Sequence, residues 1–120
     1  GEALIRKTGA ANVLVTRGNQ GLVLCSAGEP PALVPASGSG DEDEVTDANG
    51  AGDSVAATLT IALASGACPV DAARLANHAG GVVVLKPGAA TLSPLELRAQ
   101  YRRYWQTPLP DDPVPDPEDY

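Results

Sequence analysis

The chain has 120 residues, a formal net charge of −7 and two cysteines. This length accommodates one small domain or part of a larger one, and it excludes a multidomain enzyme. Hydrophobic residues make up 43% and charged residues 19%, as in globular proteins, but there is no Phe and one Trp, so the core must use small and β-branched side chains. The first residue is Gly1, and we interpret the chain as processed at its N-terminus or as a piece of a longer protein.

The negative charge is concentrated in two segments, residues 41–53 and 108–120, which contain acidic but no basic residues. An acidic chain does not attract nucleic-acid phosphates, so we expect no nucleic-acid partner, whereas a concentrated acidic loop could hold cations. No apolar run approaches the roughly 20 residues that span a bilayer, and we expect no membrane partner and a soluble, cytoplasmic protein. Both Cys25 and Cys68 are predicted to be reduced and buried.

The first part of the chain predicts a small β-sheet. Two short β-branched runs, residues 12–16 and 21–25, flank a turn-forming set and predict a hairpin. A third short strand is predicted over residues 32–34. Residues 37–48 are predicted to form a polar, acidic loop.

Three helices are predicted in the second part. The first, residues 51–65, is so apolar that we expect it to be buried on most sides. The second begins after Cys68, with Pro69 in its first turn, and runs to about Val82, although Gly80-Gly81 should weaken its middle and residues 82–85 also suit a strand. A loop over residues 86–92 precedes the third helix, which a Ser93–Glu96 capping box should start and which should end near residue 106. The proline-rich, acidic residues 107–120 form a tail that we expect to be disordered.

The densest motif is the run Asp47-Ala48-Asn49-Gly50-Ala51-Gly52-Asp53-Ser54, where a loop turns into a helix. Small residues allow a ligand to approach the backbone, and the unpaired N–H groups of a first helical turn bind anions, phosphate above all. Next to a phosphoryl group, Asp53 could accept the proton of an attacking hydroxyl. The alternative is a glycine-rich helix start whose acidic residue only complements the helix dipole. His78 is the only histidine, which excludes a metal cluster of several histidines within the chain, and it is predicted at a helix surface or pocket edge.

This run resembles the C-terminal signature of the ribokinase-like (phosphofructokinase B) carbohydrate kinases, usually D-T-T-G-A-G-D-T. Three further stretches resemble the family in order and spacing: residues 15–21 its nucleotide-loop strand pair, residues 75–79 its helix beside the adenine, and residues 86–89 its closing loop. Residues 44–47 and the run before Lys86 are most similar to the branch that phosphorylates heptose phosphates. The resemblance covers roughly residues 12–98.

The resemblance implies an α/β chain that forms the C-terminal part of a three-layer α/β/α fold, with residues 1–106 as part of one kinase domain. It implies that Asp53 is the catalytic base and that an anion hole is formed by Gly50, Ala51 and Gly52. The residues that it places at the ATP site are Thr16, Gly18, Gly21 and Asn77. The residues that it places at a monovalent-cation site, for K⁺, are Asp47, Asn49 and Gly88. The departures from the signature are Ala48, Asn49 and Ser54, and they bear most on the cation site.

The resemblance also implies ATP and Mg²⁺ as cofactors and a sugar or sugar phosphate as substrate. Kinases of this family have about 300 residues, and their N-terminal half supplies the sugar contacts and a Mg²⁺-orienting motif. We therefore expect the chain to be a fragment that reaches its substrate through a missing N-terminal half, and a homodimer is left open. The alternative is a non-catalytic nucleotide-binding or oligomerisation module, or a degenerate relative.

Overall fold

The computed structural model describes residues 1–37 and 49–105, with the side chains of residues 103–105 excepted. The helices are α1 (Glu2–Thr8), α2 (Ala51–Ala64), α3 (Pro69–Val83) and α4 (Pro94–Trp105), and the strands are β1 (Asn12–Thr16), β2 (Leu22–Ser26) and β3 (Ala32–Val34). The predicted strands and helices are confirmed within a residue or two at each end. Helix α1 was not predicted from the sequence. The acidic loop and the tail, whose conformations were predicted, lie outside the described residues.

The three strands form one antiparallel sheet in the order β1-β2-β3. In the hairpin, Thr16 is opposite Leu22 and Asn12 is opposite Ser26, and a single 3-10 turn over Gly18–Gln20 joins the two strands. Alternation along β2 turns Leu22 and Leu24 into the core, because successive side chains of a strand point to opposite faces.

Helix α3 is the central element, since it packs against α2, α4 and the strands β2 and β3. Four of its alanines and Val83 are completely buried, and such small side chains let neighbouring backbones come close. Ala73 joins the core cluster of Leu22, Leu24 and Val34. The helix continues through Gly80 and Gly81 to Val83, which confirms the helical interpretation over the strand alternative.

Three predictions of burial are wrong. Helix α2 buries only Val55 and Ala62 among its side chains, and Ile61 is 67% exposed. The prediction followed its apolar composition, but within this chain α3 is the main element that covers it. Cys68 is exposed at the N-terminus of α3, where its Sγ donates a hydrogen bond to Asp71, whereas Cys25 is buried as predicted. The third wrong prediction concerns His78.

His78 lies inside the protein, and the prediction of a surface or pocket-edge position is wrong. Its side chain is 4% exposed, and its ring packs edge-on against Tyr101 of α4 with centroids 5.6 Å apart. Burial lowers the pKa of His78 from 6.5 to about 4, because desolvation disfavours the charged imidazolium. The neutral ring therefore belongs to the contact between α3 and α4.

Candidate functional site

The glycine-rich motif forms the start of α2. Gly50 precedes the helix with φ of 80°, a left-handed conformation that glycine adopts without the penalty of a side chain, and its carbonyl accepts the hydrogen bond of the Ser54 amide. The amides before Ser54 have no partner within the helix, so this end carries partial positive charge. Asp53 lies exposed in the same turn, and a Cβ built on Gly52 would meet nothing within 4 Å. The structure thus presents a carboxylate and free space beside the positive end of α2.

The loop over residues 86–92 borders this helix start. A Cβ built on Gly50 would lie 3.8 Å from the Cα of Ala89, and the preceding Gly88 is exposed with φ of 70°. Two segments that are far apart in the sequence therefore meet at Gly50. Asn49 and Gly88 each neighbour one of the two contacting residues, while Asp47 lies outside the described residues.

Backbone carbonyl oxygens are suitable ligands for a monovalent cation, and Asn49 and Gly88 each contribute a carbonyl to one of the two converging segments. Within residues 1–37 and 49–105 no group of three or more His, Cys, Asp or Glu side chains could hold a metal ion. The described residues therefore offer backbone oxygens rather than an acidic cluster, and the predicted cation site remains a prediction.

The same loop is fixed to the start of α4. Lys86 Nζ donates a hydrogen bond of 2.8 Å to the carbonyl of Thr91 and forms a 2.6 Å ion pair with Glu96. The predicted capping box is confirmed, because the Ser93 amide donates to Glu96 and the Glu96 amide donates to the Ser93 hydroxyl. Hydrogen bonds to the carboxylate from Lys86, and then from the backbone and the side chain of Ser93, lower the pKa of Glu96 to about 2, so this carboxylate stays charged near neutral pH. The predictions from the sequence did not include the ion pair.

The predicted nucleotide residues of the hairpin differ in their surroundings. Thr16 and Gly18 are exposed at the end of β1 and in the following turn, where Gly18 has φ of 57°. Gly21 is buried with φ of 84°, and a Cβ there would lie 2.6 Å from the amide nitrogen of Ala36. Gly21 thus has a packing reason to be glycine, whereas Thr16 and Gly18 are open to a ligand.

Asn77 of α3 is 8% exposed and bonds to the chain that leaves β3. Its Nδ2 donates a hydrogen bond of 2.7 Å to the carbonyl of Pro35, and its own carbonyl accepts one of 3.1 Å from the Ser37 hydroxyl. The predicted contact of Asn77 with a nucleotide remains a prediction. Within the described structure, the side-chain amide of Asn77 holds Pro35 and the backbone carbonyl of Asn77 holds Ser37, which fastens this segment to α3.

Gly80 and Gly81 lie where α3 approaches its neighbours closely. A Cβ on Gly80 would lie 2.9 Å from Cγ2 of Val55 in α2, and a Cβ on Gly81 would lie 2.6 Å from the carbonyl oxygen of Ser37. Sequence reasoning interpreted this pair only as a weakness of the helix. Two adjacent glycines inside a helix cost about 1 kcal/mol each relative to alanine, and that cost was the available signal that close packing requires them.

Known proteins share both the sequence pattern and the fold. A family model described as pfkB family carbohydrate kinase matches residues 2–96. The chain is 52% identical over 87 residues to the bifunctional protein HldE of Caulobacter sp. (strain K31), a match that covers 72% of this chain and 17% of that protein. The chain spans about a fifth or less of the length of the curated HldE relatives that it matches.

Solved structures share the fold. Ribokinase of Arabidopsis thaliana complexed with ribose and ATP matches with a TM-score of 0.72 and 27% identity, over 82% of this chain and 31% of that one. Phosphofructokinase-2 from Escherichia coli in complex with potassium matches with a TM-score of 0.72 and 24% identity, over 85% of this chain and 31% of that one. These matches confirm the predicted ribokinase-like α/β fold. In the described residues, no helix is long and apolar enough to cross a membrane.

Proposed function

The chain belongs to the pfkB family of carbohydrate kinases, and we propose that it supplies the ATP-binding and catalytic-base part of an enzyme that transfers the γ-phosphate of ATP to a sugar hydroxyl. The resemblance to this family that the four motifs predicted is confirmed. The observation that carries the proposal is the exposed Asp53 in the open first turn of α2, against the 86–92 loop. This arrangement combines a proton acceptor with a site for phosphate oxygens.

In the proposed reaction Asp53 accepts the proton of the sugar hydroxyl as its oxygen attacks the γ-phosphorus. The new O–P bond forms while the bond to the bridging oxygen of ATP breaks, and ADP leaves with that electron pair. The N–H groups of Gly50, Ala51 and Gly52 stabilise the negative charge that develops on the phosphoryl oxygens. Without a preorganised set of donors this charge would have to be stabilised by water, which must reorient during the reaction.

The hairpin turn with Thr16 and Gly18, together with Gly21, is proposed to border the ATP. A nucleotide contact of Asn77 was predicted from the sequence as well, but its side-chain amide is bonded to the carbonyl of Pro35. Mg²⁺, when bound to the nucleotide, would neutralise phosphate charge. A monovalent cation such as K⁺ would be held by Asp47 with the backbone at Asn49 and Gly88. The acceptor is proposed to be a heptose phosphate, because residues 44–47 and the run before Lys86 resemble the heptose phosphate branch of the family. HldE proteins are among the relatives of the chain, which supports this choice.

The remaining proposals concern the whole protein. We propose that its substrate is bound through an N-terminal part that precedes the matched region, that the enzyme acts in the cytoplasm, and that two copies associate. Reading the frame upstream for some 180 further residues of α/β sequence checks the first of these. Absence of such sequence would contradict it.

A chimaera tests the catalytic role of Asp53. The matched 87 residues of the Caulobacter HldE are replaced by those of this chain, and ATP-dependent phosphorylation of a heptose phosphate is measured. Changing Asp53→Asn should lower kcat by roughly 10²–10⁴-fold with little change in KM for ATP, because the proton acceptor is lost while the shape is kept. The matched control is Asp71→Asn, an exposed carboxylate in the first turn of α3. Equal turnover of the Asp53 variant and its parent would remove Asp53 from the role.

A second candidate, a non-catalytic nucleotide-binding or oligomerisation module, is favoured by the apolar side chains that α2 exposes. Ile61 is 67% and Leu63 is 42% exposed, and such a surface is suited to contact with another protein segment. A module of this kind would bind ATP in calorimetry, yet the chimaera would show no phosphorylation with Asp53 intact. Phosphorylation of the heptose phosphate by the chimaera would favour the kinase function over the non-catalytic module.

A further inference from the structure

One turn of α3 contacts two other segments, residues 35–37 after β3 and the start of α2. Asn77 and Gly81 are four residues apart and therefore lie on the same face of the helix, where both meet residues 35–37. Gly80, next to Gly81, lies against the start of α2. A Cβ built on Gly80 would lie 2.9 Å from Cγ2 of Val55 and 4.0 Å from the carbonyl oxygen of Ala51. The end of the sheet and the start of the candidate catalytic helix are thus both placed against this turn.

The segment that leaves β3 lies against two glycines. A Cβ on Gly21 would lie 2.6 Å from the Ala36 amide nitrogen, and a Cβ on Gly81 would lie 2.6 Å from the Ser37 carbonyl oxygen. This leaves no room for a side chain at either position. Van der Waals contact limits the segment sideways, but it does not set its position along the helix axis.

The hydrogen bonds of Asn77 set that position. A carbonyl oxygen can only accept, so the Nδ2 group of Asn77 must face Pro35, and no apolar side chain could replace it. Ser37, a residue that is 7% exposed, donates a second hydrogen bond from its hydroxyl to the backbone carbonyl of Asn77. We refer to these two hydrogen bonds as the Asn77 clasp.

We propose that Asn77 is a positioning residue, which fixes the sheet and its hairpin relative to α2 by clasping residues 35–37 to the turn of α3 that receives the start of α2. This rests on the proposed function, because it matters for catalysis only if ATP lies against the hairpin while Asp53 lies on α2. Loss of the clasp lets the sheet shift relative to Asp53. A displacement of about 1 Å between reacting groups can cost on the order of 10²-fold in rate.

The kinetic test uses the HldE chimaera with Asn77→Asp, which keeps the shape but removes the donor, and Ser37→Ala, which removes the second bond. The matched control is Asn12→Asp on exposed β1, where the Oδ1 acceptor for Ser26 is retained. We expect kcat to fall about 10–100-fold in Asn77→Asp and several-fold in Ser37→Ala, with KM for ATP within about threefold of the parent. The control should change neither constant.

The opposite pattern would overturn the proposal. If Asn77 acts by touching the nucleotide, KM for ATP rises in Asn77→Asp while kcat is kept, and Ser37→Ala has no effect. If Asn77→Asp fails to fold by circular dichroism, the Ser37→Ala variant decides on the same criteria.

A second measurement does not depend on kinase activity. Amide hydrogen exchange of the 120-residue chain, followed by mass spectrometry, should be at least about fivefold faster in peptides covering residues 32–37 in the Asn77→Asp variant, while the amides of α2 from Ser54 onward keep their rate. Unchanged exchange at residues 32–37 would overturn the clasp. If the parent chimaera is inactive, the proposed function fails, and the exchange rates alone then support or overturn the clasp.

Discussion

Alanine substitution of the three glycines inside helices measures how closely α3 is packed. All three have ordinary negative φ, so an added methyl group meets only its surroundings. At Gly52 it meets nothing within 4 Å, at Gly80 it lies 2.9 Å from the end of the Val55 side chain, and at Gly81 it lies 2.6 Å from the carbonyl oxygen of Ser37. The obstacle therefore grows from open space to a movable side chain to fixed backbone.

These environments give a graded expectation for the free energy of unfolding. Alanine gains up to about 1 kcal/mol over glycine in a helix, which is the whole effect expected for G52A. Overpacking costs about 1–3 kcal/mol, and for G80A rotation of Val55 should keep the net change within about 1 kcal/mol. In G81A the methyl group also displaces the Ser37 hydroxyl, whose hydrogen bond is worth about 1 kcal/mol, so a net loss of about 1–3 kcal/mol is expected.

Urea unfolding followed by far-ultraviolet circular dichroism measures these differences as shifts of the midpoint at constant m-value. Because G52A introduces the same chemical change in open space, it is the matched control for G81A. The reasoning is refuted if G81A unfolds at the same urea concentration as G52A, since residues 35–37 would then not lie against α3 as described.

Three further predictions concern other parts of the molecule. Glu96→Gln should speed amide hydrogen exchange in the loop that precedes α4, because the carboxylate pairs with the loop lysine; exchange rates equal to those of the parent would contradict this. The pKa of His78 is lowered from 6.5 to about 4, so the unfolded chain binds the proton first and stability should fall as the pH decreases from 6.5 towards 4. His78→Gln should weaken that decline of the urea midpoint, and an identical pH profile would count against it. A thiol reagent should modify Cys68 in the native protein and Cys25 only after unfolding, as peptide mapping would show; equal rates would contradict the described burial.

Local features were predictable because a few neighbouring residues determine them. The Ser93–Glu96 capping box was predicted from two residues three positions apart, and both of its hydrogen bonds are present. The strands of the hairpin followed in the same way from two β-branched runs that flank a turn, and the start of α2 followed from small residues before an apolar run. Such local patterns predict where the elements begin and end, and they place Asp53 in the first turn of α2.

Burial was predicted less well, because it depends on which distant segments pack together. Helix α2 is apolar yet largely exposed, and His78 is polar yet buried against a ring 23 positions further along the chain. The type of a residue indicates only how readily it is buried, whereas its actual exposure depends on which other segments pack against it.

The sequence by itself determined the order of the three strands and of helices α2 to α4, the family and the residue proposed as catalytic base, because motif and period are properties of adjacent residues. Only the tertiary structure showed why α3 contains Gly80-Gly81 and what Asn77 binds. Both answers depend on residues some 25 to 45 positions away, Val55 and the Pro35–Ser37 segment, and no local pattern contains them. Close approach of backbones is a property of pairs of segments, and it appears only when the chain has folded.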